Sequence, residues 1–261
     1  MNAHSTSTAR DPFDYDPLAY LPRTEIMRLP KRRVIYDRHQ TSSRIYAVVF
    51  GRVKLSSTDD NGNELVTRIV ARDQLFGESA LIGDCPSEAA VALDSVGLFS
   101  WQISDVEARI EREPRLGVAL MRCAAERTTS LARRIHVATA YNRPERVSIA
   151  LLELAASLGT RLPDGGMRLL ALTHQTIAEY VGTARQIVTS HLNRLKSQGL
   201  VRYTRKHIDV YVPGIESELL MQRTAPRRRI RRDHLDPQLA DGPYKLSHAS
   251  ASGGGCLIDG R

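Results

Sequence analysis

The 261 residues allow one large domain or two modest ones, and a chain that is 42% hydrophobic and 25% charged has ordinary globular composition, which excludes wholesale disorder. Lys and Arg outnumber Asp and Glu by 37 to 29, a formal net charge of +8, so a polyanionic partner is expected, either nucleic acid or an anionic surface. The first thirty residues hold no signal-peptide core. No apolar run approaches the roughly 18 residues that cross a bilayer. Cys85, Cys123 and Cys256 form neither a disulfide framework nor a metal-ligand pair. A cytoplasmic protein with no membrane partner is the expectation.

Residues 1–24 read as a flexible N-terminal arm. Between 25 and 103 the pattern is a series of short β-like runs, at 33–36, 44–55, 64–70 and 89–101, with the hairpin signal Asp60-Asn61-Gly62-Asn63 between the second and third. Runs at this spacing predict an antiparallel β-roll. Over 104–141 the pattern becomes helical. Ser104-Asp105 suits a cap and Pro114 a first turn. Leu116, Leu120, Cys123, Leu131, Ile135 and Ala138 then recur at three- and four-residue steps, interrupted once by Arg127. Two readings of this stripe stay open: a dimer seam, or a helix packed on its own roll.

Residues 142–221 form a further block. Asn142-Arg143-Pro144 reads as a hinge, 147–156 as a helix and 158–166 as a loop. In 172–195, Thr173 can cap a helix carrying Ile177, Ala178 and Val181, and Gly182 can end it. Thr183 can cap a second helix with Ile187, Val188, Leu192 and Leu195 on its apolar face. Two short helices joined by a glycine turn make a helix-turn-helix, whose second helix enters the major groove. Arg185, Gln186, Thr189 and Ser190 lie opposite the apolar face, and arginine and glutamine can each bond a base edge bidentately. Thr173, Gln175 and Thr183 suit phosphate contacts. At 198–212 a strand, a basic turn and a second strand read as a wing, with Arg202, Arg205 and Lys206 along the phosphates. Residues 222–261, with ArgArgArgIleArgArg at 227–232, read as a disordered basic tail. The charge surplus is local: residues 172–212 hold six Lys and Arg against two Asp and Glu, residues 222–261 hold eight against four, and the rest is near neutral.

With PheGlyGluSerAlaLeu at 76–81 and ThrAlaArgGlnIleValThrSerHisLeuAsnArgLeu at 183–195, the chain resembles the catabolite-activator/Crp–Fnr family of bacterial transcription regulators over about residues 25–212. The resemblance implies an α+β architecture: an N-terminal β-roll of the cyclic-nucleotide-binding kind, a long dimerisation helix and a C-terminal winged helix-turn-helix. It implies a homodimer on double-stranded DNA with a near-palindromic operator, and RNA polymerase as a further partner if the protein activates. Its guanine-reading arginine falls on Arg185. The next position is commonly glutamate and is Gln186 here.

The resemblance also implies a degenerate ligand pocket. Gly77 and Glu78 match the family's ribose-binding pair. The phosphate-neutralising arginine and its hydroxyl neighbour fall on Glu88 and Ala89, a charge reversal that argues against cAMP. The adenine-contacting pair falls near Ala138-Thr139. Residues 1–30 contain no cysteine, which argues against an iron–sulfur cluster, and the effector is left unknown. No hydrolase, zincin or P-loop motif occurs in a plausible context, so no catalytic or metal site is expected. Two other readings remain: a cyclic-nucleotide-domain protein that controls an enzyme partner, and a non-specific nucleic-acid binder driven by its tail.

Overall fold

Eight short strands build a roll from two antiparallel four-stranded sheets. In one, β1 (Met27–Leu29), β8 (Val96–Gln102), β3 (Arg44–Phe50) and β6 (Leu75–Phe76) are neighbours in that order. In the other the order is β2 (Val34–Tyr36), β7 (Ala89–Ala92), β4 (Val53–Thr58) and β5 (Glu64–Val70). The computed structural model describes residues 16–38, 42–83 and 88–224, so Cys85 and the tail beyond 224 lie outside the described residues. The contacts divide the chain after Gln222, and the roll, the long helix and the helix-turn-helix block all belong to the first unit.

The predicted run at 44–55 is two strands in different sheets. Gly51, at φ +81°, makes the break, because a Cβ there would lie 2.4 Å from the Ser95 carbonyl oxygen. The Asn-Gly hairpin forms as expected, with the Asp59 carboxylate accepting from the backbone amides of Asn61 (3.0 Å) and Asn63 (2.7 Å). Between the sheets lie Tyr36, Tyr46, Val53, Leu55, Phe76 and Leu98. Residues 16–24 are not a free arm: Leu21 is buried with Ile45, Leu75 and Trp101, and Trp101 Nε1 donates to the Pro22 carbonyl at 2.7 Å.

α1 (Ile103–Arg112) starts one residue before the expected cap, so Ser104 and Asp105 sit inside its first turn. α2 (Pro114–Ala140) has proline at its start and runs 27 residues, about 40 Å at 1.5 Å per residue. Leu116 packs into the Trp101 cluster, whereas Met121 and Ile135 are each 66% exposed. The expected hinge at Asn142 is a capping box. Asn142 Oδ1 accepts from the Glu145 amide, and Glu145 returns a bond to the Asn142 amide, fixing the start of α3 (Arg143–Leu158).

The expected loop at 158–166 is corrected: Leu158 ends α3, a short strand, β9 (Thr160–Arg161), lies within the segment, and a second, β10 (Met167–Leu170), follows it. These join β11 (Val201–Tyr203) and β12 (His207–Val210) in a third sheet, ordered β11-β12-β10-β9. α4 (His174–Val181) and α5 (Arg185–Ser197) form the helix pair, and an unforeseen α6 (Val212–Thr224) follows the wing. Val147, Leu151, Ile177, Val188, Leu192 and Ile215 are buried in one core, each contributing about 1.5–3 kcal/mol. Val66 and Ile69 of β5 belong to the same core, so the roll and the helix-turn-helix block share it.

Candidate nucleic-acid interface and sensor cavity

α4 is capped by Thr173, whose Oγ1 accepts from the Thr176 amide at 3.0 Å, and it ends at Gly182 in the left-handed region (φ +69°). The expected cap of α5 is corrected: the N-cap is Ala184, with no side-chain bond, and Thr183 Oγ1 is buried without a hydrogen-bond partner. Val188, Leu192 and Leu195 point into the core. Arg185, Gln186 and Ser190 are exposed on the other side, near the N-terminus of the helix.

Thr189 is half-buried, and its Oγ1 lies 2.9 Å from His174 Nδ1. The His174 ring stands edge-on to Tyr203 of β11, and Tyr203 Oη donates to Asn193 Oδ1 at 2.7 Å. His174, Tyr203 and Asn193 therefore brace α5 against α4 and the wing. None of the three stands out in sequence, because no short motif marks a brace between elements. Burial, with Arg185 second, lowers the His174 pKa and favours the neutral ring. Gln175 is exposed but donates to Glu179, whose other oxygen lies 3.5 Å from Lys54 of the roll. In the wing, Arg202, Arg205 and Lys206 are exposed, and Thr204 Oγ1 accepts from the amides of Lys206 and His207, which tightens the basic turn.

On the roll, Gly77 (φ +85°) begins a 3-10 helix over Glu78–Ile82, and a Cβ there would lie 2.9 Å from the Arg44 carbonyl oxygen. Glu78 faces a cavity of about 1080 Å³ bounded by β5, this 3-10 helix and α2. Arg127, the residue that breaks the apolar seam, fills the interval between the two carboxylates. Its guanidinium meets Glu78 Oε1 at 2.5 Å and Glu88 Oε1 at 2.9 Å. Glu88 is buried, and its second oxygen accepts from Thr67 Oγ1 at 2.8 Å. Burial pulls the Arg127 pKa down, but Glu78 and Glu88 outweigh it and hold the guanidinium above its ordinary range. Arg68 adds a longer contact of 3.5 Å to Glu78. Ala89 is half-buried at the start of β7, opposite Ser56.

These residues do not fit a cyclic nucleotide. A phosphate about 4 Å from Glu88 would meet a repulsion of about 4 kcal/mol at the effective dielectric of a half-buried site. The nearest guanidinium is already paired twice. Ala138 and Thr139 lie a turn beyond Arg134, the last α2 residue of the cavity wall, and Thr139 Oγ1 bonds back to its own helix.

Arg134 links the roll to the helix pair. It donates to the carbonyls of Thr67 and Val66 on β5 and of Tyr180 on α4, with its guanidinium 4.4 Å from the Tyr180 ring centre. Arg52, between β3 and β4, makes a second link, holding Asp94 while donating to the Leu170 and Ala171 carbonyls. Among the described residues no group of His, Cys, Asp and Glu can hold a metal ion, and no helix is long and apolar enough to cross a membrane.

Two family descriptions match the chain: a cyclic nucleotide-binding domain over residues 26–113 and a Crp-like helix-turn-helix domain over residues 145–213. The transcriptional regulator SdrP of Thermus thermophilus is 31% identical over 159 residues, spanning 61% of this chain and 75% of that protein. The global nitrogen regulator of a Synechocystis strain is 28% identical over 186 residues, 70% of this chain and 83% of that one. The crystal structure of a CRP/FNR-family transcriptional regulator from Thermus thermophilus superposes with a TM-score of 0.61 at 28% identity, covering 76% of this chain and 98% of that one. A roll, a long helix and a winged helix pair in this order, matched in sequence and in structure, place the chain in the Crp/Fnr family of DNA-binding transcription regulators.

Proposed function

We propose that the protein acts as a homodimer whose two α5 helices read the halves of a near-palindromic DNA site, with the roll as a sensor that does not respond to cAMP. The observation that carries this reading is the two-sidedness of α5: Val188, Leu192 and Leu195 are buried, while Arg185, Gln186 and Ser190 face outward together. Arg185 would bond guanine O6 and N7, with Gln186, Thr189 and Ser190 beside it. Thr173 and Gln175, with Arg202, Arg205 and Lys206 of the wing, would meet phosphates, whereas Thr183, whose Oγ1 is buried, would not. The exposed Met121, Leu131 and Ile135 along α2 support a seam with a second copy. The Arg127–Glu88 pair supports a sensor whose signal is something other than a cyclic phosphate.

Replacing Arg185 by alanine is expected to reduce the preference for operator over random DNA by about 1–3 kcal/mol. Equal weakening on both would remove its base-reading role. Saturating cAMP is expected to leave operator affinity unchanged in a gel-shift titration. A large gain would overturn the account of Glu88.

A further inference from the structure

In α2, Thr128, Thr129 and Thr139 bond in the ordinary helical way. Each hydroxyl turns back and donates to the carbonyl four residues earlier, at 2.9, 3.0 and 3.1 Å. Thr189 of α5 does not follow them. Its Oγ1 is turned across to α4, 2.9 Å from Nδ1 of His174. A threonine carries its hydroxyl and its methyl on one Cβ, so the partner of the hydroxyl decides where the methyl goes. With the hydroxyl committed to His174, the Cγ2 methyl is the group that Thr189 has left for a base.

His174 is itself held in place. It is the first residue of α4, behind a cap in which Thr173 Oγ1 accepts from the Thr176 amide and lies 2.8 Å from Thr176 Oγ1. Its ring stands at 82° to that of Tyr203, with 5.7 Å between centres. Tyr203 is fixed in turn by its bond to Asn193 and by Lys196 Nζ, 5.0 Å from the ring centre. Burial, and after it the charge of Arg185, lowers the His174 pKa, so a neutral imidazole lies near the guanidinium. Thr189 follows Arg185 by four residues, about 6 Å along the helix axis, or about two base-pair steps.

We propose that Thr189 reads thymine by apolar contact of its Cγ2 methyl with the C5-methyl group of the base, and that His174 is the positioning residue that turns this methyl to the groove. The proposal rests on the reading of α5 as the base-contacting helix, and deepens it. Thr189 supplies what Arg185 and Gln186 cannot, an apolar contact to the one DNA base with a methyl group. Without His174 the hydroxyl falls back on the Arg185 carbonyl, as the α2 threonines do on theirs, and the methyl turns away.

The test uses the full chain and one operator selected from random DNA. The thymines within two base pairs of the guanine that Arg185→Ala ceases to select are replaced by deoxyuridine, which lacks only the C5 methyl, one symmetric pair at a time. One such pair is expected to weaken the wild type about tenfold, for two methyl groups left unburied. Thr189→Ser keeps the hydroxyl and drops the methyl, and should bind the thymine and uracil duplexes alike. His174→Phe keeps the edge-on ring but offers no nitrogen, and its thymine-to-uracil ratio should fall towards one. His174→Asn, whose Oδ1 can take the place of Nδ1, should restore the ratio. Guanine selection through Arg185 should persist in all three variants, which shows that they fold. A selected site with no thymine in this window, a wild type indifferent to uracil throughout it, or a wild-type ratio in Thr189→Ser would overturn the methyl contact and leave the paired reading by α5 standing. An unchanged ratio in His174→Phe would overturn the positioning role. A pool with no enriched sequence would remove the reading by α5 itself, and the methyl contact with it.

Discussion

His191 lies on α5 with its ring turned away from the exposed side, 4% accessible, and with Nε2 2.7 Å from Ser148 Oγ. Arg194 donates to Nδ1 at 3.2 Å, so the ring proton sits on Nε2 and is given to Ser148. Burial, then Arg194, lowers the pKa to about 4 from an ordinary 6.5. The unfolded chain takes up a proton as pH falls through 6.5 and the folded chain does not, so stability is full above 6.5 and is lost between 6.5 and 4. From this residue the protein should be about 2 kcal/mol less stable to urea at pH 5 than at pH 7.5. His191→Gln keeps a partner for Ser148 and should remove that difference. An unchanged difference would place the titration elsewhere. Arg127 belongs to the same scale. In sequence it is a lone charge in an apolar seam, visible as an anomaly. Its partners Glu78 and Glu88 lie 49 and 39 residues away, a pairing that no local pattern can indicate. Arg127→Met would leave the buried Glu88 unpaired and should cost about 3 kcal/mol. Adding Glu88→Gln should recover part of that loss in thermal melts; purely additive effects would argue against the pair.

Elements were legible where periodicity ran long or a turn had its own chemistry. β5 and the two helices of the helix-turn-helix match their sequence signals, and Gly182 ends α4 in the conformation that makes glycine useful there. β1, β6, β9 and β10 were not legible. They are two to four residues long, too short to show an alternation, and they exist because a neighbouring strand offers hydrogen bonds. Thr183 shows the limit of capping rules: its residue type suits a cap, but the backbone turns one residue later, at Ala184. Asn142 is the reverse, a residue read as a hinge that closes a reciprocal cap. Asn142→Ala should lower stability by about 1 kcal/mol by denaturant melt with unchanged slope, because α3 loses its box but not its packing. A loss below a few tenths would mean that the core alone fixes the start of α3.

In the whole molecule, the helix pair is not tethered by the chain alone. Val66 and Ile69 of the roll sit in its core, and Arg134 and Arg52, each also bonded within the roll, donate to its backbone carbonyls. Sequence could not reveal these links, because a carbonyl acceptor has no residue identity. Arg134→Gln should speed amide hydrogen exchange in α4 several-fold while leaving α3, capped independently, nearly unchanged; equal acceleration in both would indicate general destabilisation. The central claim is that α5 reads sequence in pairs. It is tested most directly by selecting duplexes from a random pool with the full chain and sequencing what is retained. Two inverted half-sites centred one helical turn apart are expected, with a guanine position that disappears when Arg185→Ala is used. Retained DNA with no enriched sequence, or with a single unpaired half-site, would contradict it.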